Sequence, residues 1–209
     1  MSTVNFSRAS SAATLVACAA SLALTLTACG SDAEPSAATT PSVAEAPASS
    51  VTKAATSTCP TAAPEGGVAA QWTLPGTTGS VAVTGSTETA APLVNVTAPF
   101  SVAETQVHTL QAGDGPVVAP TATVAVCYMG VNGRDGTVFD SSYERGAPVD
   151  FPLDGVVTGF QKAISGQTVG STVAVAMTPA DGYPEGQPAA GIQPGDTLVF
   201  AIKVLGASS

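Results

Sequence analysis

The chain is poor in the groups that most enzyme chemistry uses. Among 209 residues there is a single histidine, His108, and only 10% of the residues are charged. Six lysines and arginines stand against 15 aspartates and glutamates, a formal net charge of -9. A surface of that sign repels phosphate backbones, so no nucleic acid is expected as a partner. No Ser or Asp motif surrounds His108 and no Gly-x-Ser-x-Gly elbow occurs, which argues against a serine hydrolase. No Cys/His ligand cluster exists, so no metal is expected. Gly113-Asp114-Gly115 precedes Pro116 and reads as a turn rather than a phosphate-binding loop, so no cofactor is implied. Aromatic residues are also few, at 5%, whereas 21 glycines and 16 prolines punctuate the chain. That balance points to short strands and turns rather than a helical bundle.

What is present begins with an address. Behind Arg8, the apolar run from Ala13 to Leu26 ends in Leu26-Thr27-Ala28-Cys29. It has the order of a secretory signal and resembles a bacterial lipoprotein signal, whose lipobox is Leu-x-x-Cys. The resemblance implies a signal peptide over residues 1–28, lipidation of Cys29, and a protein held at the outer side of the cell membrane. An uncleaved membrane anchor is the alternative, although the run is short and rich in Ala, Ser and Thr for a spanning helix. Residues 29–65 are largely Ala, Ser, Thr and Pro, too poor in large side chains to offset the entropy of ordering. They read as a disordered tether with a reach of about 30 Å. Of the four cysteines, Cys18 leaves with the signal and Cys29 carries lipid, so Cys59 and Cys127 remain in an oxidising compartment. A disulfide between them is one reading; a small buried Cys127 and an idle Cys59 thiol is the other. Residues 66–100 hold Trp72, Val81-Ala82-Val83 and Leu93-Val94-Asn95-Val96 between Gly, Thr and Pro. They read as short strands of an N-terminal extension at the edge of the following domain, residues 101–209, and packed on it; a bridge from Cys127 would pin the extension across the sheet face opposite Tyr128.

In that domain the side chains alternate. Ala122, Val124, Val126 and Tyr128 share one face of a strand, with Cys127 on the other. Val173, Val175 and Met177 share a face of a second strand, and Leu198, Phe200, Ile202 and Val204 of a third. Between them Phe160, Ala163 and Ile164 have the i, i+3, i+4 spacing of one face of a short helix. One short helix against antiparallel strands makes an α+β domain.

Several strings in this region carry a resemblance. Cys127-Tyr128-Met129-Gly130, Asp135-Gly136-Thr137-Val138-Phe139-Asp140-Ser141-Ser142, Gly170, Thr178-Pro179 with Tyr183, and Ile192-Gln193-Pro194-Gly195-Asp196-Thr197-Leu198-Val199-Phe200 follow one another in order. From about Gln106 to Leu205 the chain resembles the FKBP family of peptidyl-prolyl cis-trans isomerases. The resemblance implies an antiparallel five-stranded sheet wrapped around a short helix. It also implies a pocket with Tyr128, Phe139, Asp140 and Tyr183 in catalytic positions, and with Phe151, Val156, Val157, Phe160, Ile192 and Phe200 binding substrate. By the same resemblance Tyr183 and the backbone amide of Val157 donate to a ligand carbonyl, and Asp140 sits at the rim. The chain departs from the family at Phe160, where the pocket floor is usually Trp, and at Met129, Val149 and the short stretch from Leu153 to Val156.

The implied chemistry needs no nucleophile. Rotation about an X-Pro bond is slow because the amide loses its resonance, a barrier of about 18 to 20 kcal/mol. The twisted amide is less dipolar than the planar one, so a dry aromatic cup binds it better and lowers the barrier. The expected partners are proline-containing exported polypeptides and the membrane through Cys29, with a monomer assumed. A binding module of the same fold, holding proline segments without turnover, is the alternative use.

Overall fold

The computed structural model describes residues 58–64 and 67–208. The signal and lipidation assignments, including Cys29, lie outside them. Among the described residues no helix is long and apolar enough to cross a membrane.

Among the described residues nine strands form two antiparallel sheets. The strands β1 (Trp72–Pro75), β2 (Thr78–Thr84) and β3 (Leu93–Ser101) make a small sheet in that order. The main sheet holds β4 (Gln106–Gln111), β5 (Thr123–Asn132), β6 (Val138–Ser141), β7 (Val149–Pro152), β8 (Thr172–Met177) and β9 (Leu198–Ser208). Its order is β4-β8-β9-β5-β6, with β7 also paired to β5. Five positions across the sheet are therefore filled by six strands, a correction to the five-stranded expectation. The reason is local. Thr123 to Val126 of β5 face β7 whereas Met129 to Val131 face β6. Between those two strands the chain steps out through one helical turn, α1 (Ser142–Arg145). Ser141 caps that turn by accepting from the Glu144 amide, and Gly146 ends it in the left-handed conformation at φ 69°.

The period-2 alternation divides the main sheet into two differently covered faces. On one face Val124, Val126, Tyr128, Val173, Val175, Met177, Phe200, Ile202 and Val204 are buried with Phe160, Ala163 and Ile164 of α2 (Thr158–Ile164). The helix sits close because Gly159 has no side chain: a Cβ there would stand 2.7 Å from both Cβ and Sδ of Met177. The opposite face of β8 and β9 shows small residues, Ala174, Ala176, Val199 and Ala201, which pack with Val81, Val83 and Phe100 of the small sheet. Strands β1 to β3 thus stack on the back of the main sheet instead of extending its edge. Sheet-on-sheet burial explains why β8 is fully covered on both faces.

The tether expectation also needs a new boundary. Within residues 58–64, Cys59 is 2% exposed and is joined to Cys127 of β5 by a disulfide, in a small cluster with Ala91 and Tyr143. The Tyr143 hydroxyl donates to Ser86 Oγ at 2.8 Å, tying the β2–β3 connection to α1. A segment whose composition cannot build a core of its own is here held by a covalent bond and by a surface that the domain supplies.

Candidate active site

Three side chains set the floor of an aromatic cup on the helix-covered face. Tyr128 comes from β5, Phe200 from β9 and Phe160 from α2, and each is about 5% exposed (6%, 5% and 5%). Phe160 meets Tyr128 and Phe200 edge to face, with ring centroids 5.9 and 5.4 Å apart. Phe151 of β7 closes a second side, 5.9 Å from Tyr128 and 5.8 Å from Phe160, and Phe139 of β6 meets Phe200 edge to face at 5.5 Å. Such contacts orient rings beyond what area burial requires. Phe139, Phe151, Val156, Val157 and Tyr183 are half-buried and form the upper wall. Ile192 is 2% exposed and belongs to the same cluster. All ten pocket positions named from sequence therefore converge, nine in the apolar cluster and Asp140 at its margin.

Room for this arrangement comes from a residue to which sequence reasoning assigned no role. Gly130 lies opposite Asp140 in the β5–β6 ladder. A Cβ at Gly130 would stand 2.6 Å from Phe139 Cζ and 2.8 Å from Phe200 Cε1. The two rings occupy the space that its absence leaves. A glycine inside a strand is the available signal, since it marks either a bulge or a close approach.

The polar rim is a three-residue unit. The Tyr128 hydroxyl donates to Asp140 Oδ2. Arg145 Nη1 pairs with Asp140 Oδ1 at 2.5 Å, and its Nη2 donates to the Tyr128 hydroxyl at 3.1 Å. Burial raises the Asp140 pKa, but the hydrogen bonds from Tyr128 and Arg145, with the Arg145 charge, outweigh it and hold the carboxyl below its ordinary value. Tyr128 is pushed up to about 12, by burial first and then by its bond to Asp140. Arg145 is raised further by its bonds to Asp140 and Tyr128. The rim is thus an ionised carboxylate with both oxygens engaged beside a neutral phenol. Neither group is poised to exchange protons near neutral pH. An apolar cup with a fixed rim of this kind can bind and orient an uncharged group while excluding water.

Local sequence explains the placement. Asp140 and Ser141 end β6, and the single turn of α1 brings Arg145 back over Asp140. Leu153 begins one turn of 3-10 helix, anchored by its amide on Ala122 O at 3.0 Å and by Gln161 Nε2 on its own carbonyl at 3.1 Å. That turn delivers Val156 and Val157 to the start of α2, where the Val157 carbonyl accepts from the Phe160 and Gln161 amides.

Comparison with known proteins points to one family. Residues 115–205 match the model of the FKBP-type peptidyl-prolyl cis-trans isomerase family. The FKBP-type 22 kDa peptidyl-prolyl cis-trans isomerase of Escherichia coli is 39% identical over 100 residues, 48% of this chain and 48% of that protein. A probable FK506-binding protein of Corynebacterium glutamicum is 39% identical over 98 residues, 46% of this chain and 80% of that protein. The crystal structure of FkpA from Escherichia coli aligns at a TM-score of 0.46 and 33% identity, covering 50% of this chain and 48% of that one. The chain spans about half the length of the E. coli isomerase that it matches (48%). The relative of nearly domain size, matched over 80% of its length at 39% identity, leaves no ambiguity about kinship. The aromatic cup with its Asp140 rim therefore sits in a chain that belongs to the FKBP-type peptidyl-prolyl cis-trans isomerase family.

Proposed function

We propose that this protein catalyses cis-trans isomerisation of X-Pro bonds in exported polypeptides, with the proline ring seated in the cup of Tyr128, Phe151, Phe160 and Phe200. The observation that carries the reading is the convergence of five edge-packed or tilted rings around one cup, with a charged but internally neutralised rim. A planar amide entering the cup loses water from its oxygen, which costs the dipolar ground state more than the twisted transition state. Phe139 and Phe151 form the upper wall against the flanking backbone. Tyr183 and the Val157 amide supply donors for the substrate carbonyls, and the Tyr128–Asp140–Arg145 unit fixes the mouth. A preference of about 4 to 6 kcal/mol for the twisted amide corresponds to roughly a thousand- to ten-thousandfold acceleration. The Leu26-Thr27-Ala28-Cys29 string supports lipid anchoring at Cys29 and work outside the cytoplasm.

The test is a protease-coupled assay of short X-Pro peptides with the full chain and its Phe139→Ala variant. Acceleration that falls at least about tenfold in the variant supports catalysis in this cup. A folded wild-type chain that accelerates no peptide, whatever residue precedes proline, rejects the isomerase reading. The alternative of a non-catalytic binding module would then lead.

A further inference from the structure

Two wall residues of the cup, Tyr183 and Ile192, come neither from a strand nor from α2. Both lie on the connection between β8 and β9, residues 178–197, which contains only two single turns of 3-10 helix, Pro179–Asp181 and Pro188–Ala190. Its middle, including Pro184, Glu185, Gln187, Pro188 and Ala189, is exposed, and its one ladder contact is the bridge between Gln187 and Ile192. A connection held by its own turns alone belongs to the low-stability end of a structure, a poor support for a binding wall.

A carboxylate near each end changes that. At the first, Asp181 Oδ2 accepts from Lys162 Nζ of α2 at 2.7 Å and from Thr105 Oγ1 at 2.5 Å, while Thr105 Oγ1 accepts from the Thr178 amide at 3.2 Å. At the second, Asp196 is 7% exposed. Its Oδ2 accepts from Asn132 Nδ2 at 2.7 Å and from the Gln193 amide at 2.8 Å. Arg134 Nε faces both oxygens at 3.2 and 3.3 Å, and Arg134 Nη2 donates to the Gly191 carbonyl at 3.2 Å. One guanidinium therefore grips the chain on either side of Ile192. A carboxylate this buried is stable only when paired, so the grip on the β5–β6 turn is an obligatory part of the fold there.

We propose that Asp181 and Asp196, with Lys162 and Arg134 as counter-ions, are positioning residues that pin both ends of the 178–197 connection and so hold Tyr183 and Ile192 at the wall of the cup. The catalytic consequence rests on the isomerase reading; the pinning does not. Because the pins act at the ends, the exposed middle is free to vary in length and chemistry without loosening the wall. Arg134 also lines, with Thr137–Phe139 and Ala189–Gly191, a groove that includes Phe139 of the cup wall.

The experiment uses the full chain with Asp196→Asn, Arg134→Met, Arg134→Lys, Asp181→Asn and Lys162→Met. Hydrogen exchange is followed by mass spectrometry in the segment 183–192, alongside kinetics on X-Pro peptides. The expected result is exchange at least about tenfold faster in that segment for Arg134→Met and Lys162→Met, with β8 and β9 amides unchanged. Arg134→Lys should fall between wild type and Arg134→Met. KM should rise severalfold with kcat within about twofold, because a wall that contacts ground and transition states alike contributes uniform binding. Unchanged exchange in the segment overturns the proposal, and so does acceleration that spreads equally through β8 and β9. If the wild-type chain proves inactive, the exchange arm still decides the pinning, and the inactivity counts against the isomerase reading alone.

Discussion

Tyr128 carries two duties that can be separated. Its ring forms the floor of the cup, and its hydroxyl orients Asp140. Tyr128→Phe keeps the first and removes the second, so we expect folding to survive with a stability loss of about 1 kcal/mol. Isomerase activity should fall more than stability does. Equal losses in both, read from denaturant unfolding and the peptide assay, would contradict the orienting duty. The ionisation states give a second prediction. Tyr128 and Tyr143 are both pushed up to about 12, the first by burial and its bond to Asp140, the second by burial. A phenol whose folded pKa exceeds its unfolded value of about 10 contributes stability that is complete below pH 10 and lost as pH rises through 12. Ultraviolet titration of the native protein should therefore leave at least two of the three tyrosines un-ionised at pH 11. Asp140 has the opposite sign. Its depressed pKa means that its contribution is present above about pH 4 and disappears as pH falls through the folded value. The pair with Arg145 is substantially exposed, so that contribution is about 1 kcal/mol or less. The difference in Tm between wild type and Asp140→Asn should close on acidification.

At the scale of elements, packing gaps and one unpaired hydroxyl give sharp handles. Gly130→Ala inserts a methyl where Phe139 and Phe200 already stand within 3 Å. We expect a loss of about 1 to 3 kcal/mol, with activity reduced because the cup narrows. A Gly130→Ala variant with wild-type stability and activity would mean that the rings do not depend on this space. Thr172 Oγ1 is buried without a partner among the described residues. Thr172→Val removes that unmet group at nearly constant volume and should raise stability by about 1 kcal/mol, measured by denaturant midpoint. The core strands β5, β8 and β9 were legible because one-sided burial of their larger side chains writes a period of 2 into the sequence. Helix α2 was legible from the three apolar positions on its buried face. The division of one edge into β6 and β7 was not, because it depends on the cap at Ser141 and the left-handed Gly146, which a sequence shows only as common turn residues. The ten pocket positions are legible only through the family resemblance and not through periodicity, since a core phenylalanine and a wall phenylalanine look alike in isolation. The partnership of Arg134 with Asp196 spans 62 residues and leaves no local trace.

For the whole molecule, the N-terminal extension is structural. Its strands, and their place across the face opposite Tyr128 once Cys127 is bridged, could be recognised; that they form one sheet stacked on the alanine-rich back of β8 and β9 could not. The clue is the small size of Ala174, Ala176 and Ala201, which only a closely stacked second sheet explains. Removing residues up to 101 should expose that face and produce a fragment that binds hydrophobic dyes or self-associates. A dye-silent monomer of unchanged stability would refute this. Trp72, the only tryptophan, stacks on His108 of β4 with centroids 5.6 Å apart, so its fluorescence reports docking of the extension directly. The Cys59–Cys127 bond closes a separation of 68 residues. On the chain-entropy model it stabilises by about 4 kcal/mol, so Cys59→Ser should lower the denaturant midpoint sharply. The same bond alters the effect of cutting the chain. A protease that cleaves between residues 60 and 126 leaves two fragments still joined through sulfur, and the portion bearing the cup stays attached to whatever precedes Cys59. Only a cut before Cys59 severs the two, so proteolytic release of the folded domain from the residues before Cys59 requires a cut there or reduction of the bond.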